Sequence, residues 1–253
     1  MRCRAMTVLC AVTLAVPCLT ARPRADVVLT QKQHTDGCQI MGQTVPASDR
    51  TVTTWIGQDA ARLDQGPDTS VIVDFGRNQL TMVLHKEKAY VQTALQSPQD
   101  MVKAAMDADK DASEEDKQAA MQMMQGMMGA MKLSVTVTET PDTKKVKSWN
   151  CRKYLVKTQV AMAASESEMW VTQDVKIDPA FYQKALNSRL LQMPGAADAA
   201  KEWAKLKGIP ALSTTKSNVM GATVASTEEL LSAETKAAPQ GTYAVPAGYK
   251  AKK

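Results

Sequence analysis

Residues 51–94 read TVTTWIGQDAARLDQGPDTSVIVDFGRNQLTMVLHKEKAYVQTA, and their punctuation is that of a β-meander. Thr51–Ile56 is rich in Thr, Val, Trp and Ile, the residues that fit a pleated, half-buried surface. Gly57 turns the chain into 61–65, and Gly66-Pro67-Asp68 is a turn with a mechanism: a free φ, a fixed φ and a side chain that folds back on its own backbone. Residues 70–75 follow. Gly76 to Asn78 turn again, 79–85 put Leu80, Met82 and Leu84 on one face, Lys86 to Lys88 make a charged turn, and 89–94 close the run. Short β-rich segments at regular spacing predict antiparallel strands joined by hairpins.

Working outward, 26–33 reads as one more strand and 36–49, with Gly37, Gly42 and Pro46, as a loop. Beyond Ser97-Pro98 the character changes, and 98–131 reads as a helical insert, with Pro98 in a first turn and a second start near Ser113. Strands resume at Lys132. Leu133, Val135 and Val137 alternate with polar neighbours until Pro141-Asp142 breaks the pattern. Strands are expected within 144–160 and 168–177. Asp178-Pro179 opens a helix whose stripe is Phe181, Ala185, Leu186, Leu190 and Met193, and a shorter helix at 196–207 carries Trp203. Two β segments, 211–220 and 221–229, come last. Residues 243–249 read as a tail folding onto the sheet and 250–253 as a frayed end. The expected fold class is therefore α+β: a curved antiparallel sheet with helices covering its concave side.

The first 25 residues have the order of a secretory signal: Arg2 and Arg4, an uncharged run from Met6 to Leu19, then small residues and an arginine pair up to Ala25. The expected arrangement is a signal peptide over 1–25 with an undefined cleavage point, a single domain over 26–249 containing the insert, and the tail. The expected location is exported and periplasmic. The alternative is membrane anchoring through an uncleaved or lipidated N-terminus, for which Cys18 is the candidate. The signal holds four of the 31 basic residues and none of the 26 acidic ones, leaving 27 against 26. That near-neutrality argues against nucleic acid as a partner, because such binding needs a basic surface. The same cleavage removes Cys3, Cys10 and Cys18. Cys38 and Cys151 remain, read as two lone thiols in preference to a disulfide.

Several motifs resemble a known family. Trp55-Ile56-Gly57, the VIVDF strand ending at Phe75, HKEKAYVQ from His85, WNCRKYLVK from Trp149, EMWVTQDVKID from Glu168 and VPAGYK from Val245 are similar to a family of exported bacterial proteins known only as a domain of unknown function. The strand order also resembles the half-barrel of the periplasmic lipoprotein carrier LolA. The likeness covers 26–249. It implies a half-barrel and an envelope location, and no activity.

The unusual chemistry is MQMMQGMMGAM, residues 121–131. At 100° per residue its six methionines share an arc of about 160°, making an amphipathic helix with a pliable apolar face. Gly126 and Gly129 each cost about 1 kcal/mol against Ala. Such a helix suits a core plug, or a lid over a cavity for a lipid-like guest. Copper(I) held by thioether sulfur is a third reading. The candidate ligand-binding residues are Met121, Met124, Met127, Met128 and Met131, with Trp55, Trp149 and Trp170 on predicted strands; core packing is the plainer role for each.

Other motifs carry little. Asp107, Asp109 and Asp111 imitate a calcium loop, but Ala112 replaces its glycine and Gln118 its glutamate. Ser213 and Lys216 have Ser-x-x-Lys spacing in a β-like segment, where the two face apart. His34 and His85 lack companions at metal-ligand spacing. The sequence thus predicts no cofactor, no metal and no catalytic set. It predicts a non-enzymatic envelope protein that binds a lipid, an acyl chain or a lipoprotein tail, with peripheral membrane contact. The alternative is a structural or protein-interaction module with a self-filled core.

Overall fold

The computed structural model describes residues 25–40, 42–96, 100, 113–175, 182, 185 and 193–252. Twelve strands form one sheet. β1 (Asp26–Thr35) lies at its middle, paired on one side with β4 (Ser48–Ile56) and on the other with β13 (Ala222–Lys236). From β4 the chain steps outward through β5 (Ala60–Gln65), β6 (Thr69–Asp74), β7 (Gln79–Leu84) and β8 (Ala89–Ala94). It resumes at the opposite edge with β9 (Ser134–Val146) and returns through β10 (Trp149–Val160), β11 (Ala163–Thr172) and β12 (Ile209–Val219) to β13. All these pairings are antiparallel. β14 (Lys250–Ala251) then adds to β8 in parallel. A separate hairpin, β2 (Cys38–Ile40) with β3 (Gln43–Val45), occupies the segment expected to be a loop.

The α+β class and the half-barrel with helices over its concave side are corrected here: the protein is mostly β, built on one large sheet, with α1 (Glu114–Ala130) and α2 (Ala196–Trp203) as short additions. The physical reason lies in the core. Within β10 and β11, Cys151 and Trp170 point to one side, and Tyr154, Val156 and Val171 to the other. The first group belongs to a core cluster with Leu29, Ile56, Leu230 and Tyr182; the second packs with Ala199 and Leu206, under and just beyond α2. The strands bury both sides, so helices are not gathered on one.

Two further expectations change. Pro141 does not end a strand; β9 runs through it, with Thr143 opposite Arg152 and Glu139 opposite Tyr154. The extra residues form a bulge, which tolerates a proline because it needs no ladder donor. Nor is the end frayed: Lys250 donates its backbone N–H to the Lys88 carbonyl and Lys252 to that of Tyr90. The expected signal segment before Ala25, most of the first half of the expected insert, the aspartates near Asp107 and most of the segment expected to be a helix from Asp178 lie outside the described residues. Of that helix, Tyr182 is buried in the first cluster and Ala185 packs beside it.

Candidate functional site

Three places hold chemistry. The first is a cavity of about 270 Å³ against β1, β4, β5 and β6. Strand alternation sends Leu29, Val52, Ile56, Leu63, Val71 and Val73 to it, and Tyr182 and Ala185 enter from above. The register fixes this: Leu63 stands opposite Val71 on one side and Thr54 on the other. Its rim is polar. Gln31 Nε2 donates to Glu228 Oε1 at 2.5 Å, and Arg50 Nε donates to Gln33 Oε1 at 2.6 Å.

The second is a larger cleft, about 670 Å³, where β9 bulges away from β10. Arg152 donates to Glu139 at 2.5 Å, and Lys207 approaches the same carboxylate at 3.6 Å. The Arg152 hydrogen bond is the main reason the Glu139 carboxyl is held below its usual range. Asp174 accepts from the Asn150 backbone at 2.7 Å and from its side chain at 3.2 Å. Cys151 lies beside the cleft, and burial pushes its thiol up, so the nucleophilic thiolate is disfavoured. Three of the cleft's charges, on Glu139, Arg152 and Lys207, are thus spent on one another.

The third is a polar network under the C-terminal segment. Asp64 and Ser70 are register partners across the 66–68 turn. Ser70 Oγ donates to Asp64 Oδ1 at 2.5 Å and accepts from Arg62 Nη2 at 3.0 Å. His85 Nε2 stands 2.7 Å from the same oxygen, and its Nδ1 is 3.0 Å from the Tyr249 hydroxyl. With the serine O–H directed at Asp64, Nε2–H donates to Oγ, and in the neutral imidazole Nδ1 accepts from Tyr249, a fully satisfied set. A serine–histidine pair is present, yet Ser70 is 1% exposed and its hydrogen bonds are complete. No substrate atom reaches it. The network is a clamp instead: Arg62 Nη1 also holds the Thr242 carbonyl at 3.0 Å, and Tyr243 donates to Asp26 Oδ2 at 3.0 Å.

The candidate residues do not assemble at either cavity. Trp170 is buried in the first core cluster, its Nε1 donating to Glu168 and Lys144 Nζ lying 3.9 Å above its ring. Trp149 packs against that cluster, and Trp55 lies under Lys236. On α1, Met124 and Met128 are half-buried; Met121 is exposed, as is Met131 just beyond the helix, and the Met127 side chain is outside the described residues. Ser213 is buried on β12, with Lys216 on the other side of the strand. Cys38 and Cys151 are free. Among the described residues no cluster of His, Cys, Asp or Glu can hold a metal ion, and no helix is long and apolar enough to cross a membrane.

Residues 36–249 match the family model for a domain of unknown function, DUF4412. The chain belongs to the DUF4412 family. The matched span begins after β1 and ends at Tyr249, so in this DUF4412 protein it includes every clamp residue except Asp26. No curated protein matches the chain.

The clamp is what residue-by-residue reading missed. Arg62 and Asp64, two apart on one strand, were its only local signal. Tyr249 is 164 positions from His85, and nothing in either neighbourhood announces the other.

Proposed function

We propose that this DUF4412 protein is a non-enzymatic binding protein of the cell envelope that holds an amphipathic guest in the cavity over β1, β4, β5 and β6. The observation that carries the reading is the division of that cavity into an aliphatic floor and a polar rim of Gln31, Gln33, Arg50 and Glu228. Ligand pockets have this composition, apolar walls with a few placed polar groups. Its volume is just below the ~300–1,000 Å³ of small-molecule sites, which favours a short acyl chain or a single tail over a whole phospholipid. The envelope location rests on the signal-like order of residues 1–25.

A second reading has its own support. Tyr182 and Ala185 already enter the cavity, as they would in an interaction module whose core fills itself. Native mass spectrometry of detergent-free protein, followed by lipid extraction, separates the two. A stoichiometric acyl adduct that is lost in Val71→Trp supports the guest. An apo mass that persists after incubation with phospholipid vesicles removes the guest and leaves the interaction module.

A further inference from the structure

The sequence has 16 methionines, and the two core clusters use none of them as a buried member. Ten have described side chains; not one is buried. Met82, Met121, Met123, Met131, Met162 and Met220 are instead exposed, supplying six of the nine exposed large hydrophobic side chains among the described residues. Methionine elsewhere serves as a gap-filler of cores. Here no described methionine is a buried core member, and six of the ten are turned outward.

The placement of two of them sharpens this. Met162 is 79% exposed in the β10–β11 turn, and Met220 is exposed in the β12–β13 turn. Ala163 pairs with Val219, so the two tips stand side by side at one end of the sheet. Met220 has φ +53° and Gly221 φ +85°, the pattern for which Asn-Gly is the ordinary choice. A long apolar side chain in that left-handed position packs little and strains the turn. What a thioether offers there, and a leucine does not, is a reactive sulfur lone pair.

We propose that these six exposed methionines are modification sites at which the protein takes up oxygen from a two-electron oxidant of the peroxide class while its sheet remains folded. The sulfur lone pair attacks one peroxide oxygen, an S–O bond forms and the O–O bond breaks. The departing hydroxide takes up the proton and leaves as water. Sulfur is oxidised by two electrons, the peroxide is reduced by two, and the product is the sulfoxide, reversible by sulfoxide reductases with a dithiol as reductant. Oxidising a buried methionine makes a core polar and disrupts it; oxidising these removes no core contact. Cys151, 4% exposed, sits out of reach of the same oxidant.

The test is stepwise addition of hydrogen peroxide, with peptide mass mapping and far-ultraviolet circular dichroism at each step. With the accessible thiol of Cys38 first alkylated, the first oxygen atoms taken up by the ten methionines with described side chains are expected on the six exposed ones. Met169 and Met193, packed against the second core cluster, should follow several-fold more slowly, and the β signal should persist until then. Reductase with dithiothreitol should return the original mass. A variant with all six changed to leucine should fold, and its Met169 and Met193 should keep their slow uptake. The proposal is overturned if Met169 and Met193 oxidise as fast as Met123 and Met162, if the β signal collapses with the first additions, or if Met169 and Met193 become fast in the leucine variant.

Discussion

The Tyr249 hydroxyl lies 3.0 Å from Nδ1 of His85, with the two rings edge to face at 5.7 Å between centroids. This contact ties the last turn of the chain to the hairpin between β7 and β8, and β14 then adds to the same hairpin. Tyr249→Phe keeps the ring contact and leaves Nδ1 without its donor. The expected loss is about 1 kcal/mol, the net worth of one intramolecular hydrogen bond. Chemical denaturation should show it, with faster proteolytic cleavage after residue 236. An unchanged midpoint and cleavage rate would mean that β14 and the Arg62 and Tyr243 contacts hold the segment without it.

Tyr243 gives the fold an alkaline limit. Burial, and then the hydrogen bond to Asp26, push its phenol well above the ordinary 10.0. The neutral phenol is therefore favoured by folding. Its contribution is complete below pH 10 and is lost as pH rises from there toward the raised folded value. Thermal melts between pH 8 and 11 should show a fall at the alkaline end that Tyr243→Phe flattens. A variant that falls as steeply as the parent would assign the loss to other groups.

Two glycines with positive φ should respond very differently to alanine. At Gly208 (φ +134°) a Cβ would overlap the Thr172 carbonyl, and at Gly221 (φ +85°) it would meet open space. Gly221→Ala pays only the left-handed backbone, about 1–2 kcal/mol. Gly208→Ala must also push β11 and β12 apart, so its loss should be the larger and its yield of folded protein lower. Equal losses would remove the close approach as the reason for Gly208.

The thiols should separate by burial. Cys38 is half-buried on the small hairpin, and Cys151 is buried with its thiol held protonated. Iodoacetamide should label Cys38 in the folded protein and Cys151 only in denaturant. Equal native rates, or a peptide joining the two, would contradict the structure.

Where turn chemistry is strong, the sequence predicts the elements closely. The four strands from β5 to β8 fall within about a residue of their expected spans, because Gly57, Gly66-Pro67-Asp68 and Gly76 fix the reversals, whereas β4 starts three residues early, at Ser48, inside the segment expected to be a loop. The helix expected over 196–207, which ends early at Trp203, and the tail lying on the sheet are similarly local. Pairing at long range is not. Nothing near Gln31 says that its neighbour is Leu230, and nothing near Leu133 says that β9 is an edge. The half-barrel expectation failed at that level: alternation shows that a strand has an inner face, but Tyr154 and Trp170 on neighbouring strands, buried on opposite sides, show two. The cavity residues were legible as strand positions and illegible as a group, since β1, β4, β5, β6 and β13 make it together with the distant Tyr182 and Ala185.

The pairing of β1 with β13 also sets a timetable. β1, β4 and the strands through β8 can form once residue 94 has been made, but the other partner of β1 begins only at residue 222. At roughly 5–20 residues per second of synthesis, that wait is on the order of ten seconds. A half-sheet formed in that interval has one raw side, a template for any passing strand. That side is covered only when the last eighth of the sequence arrives.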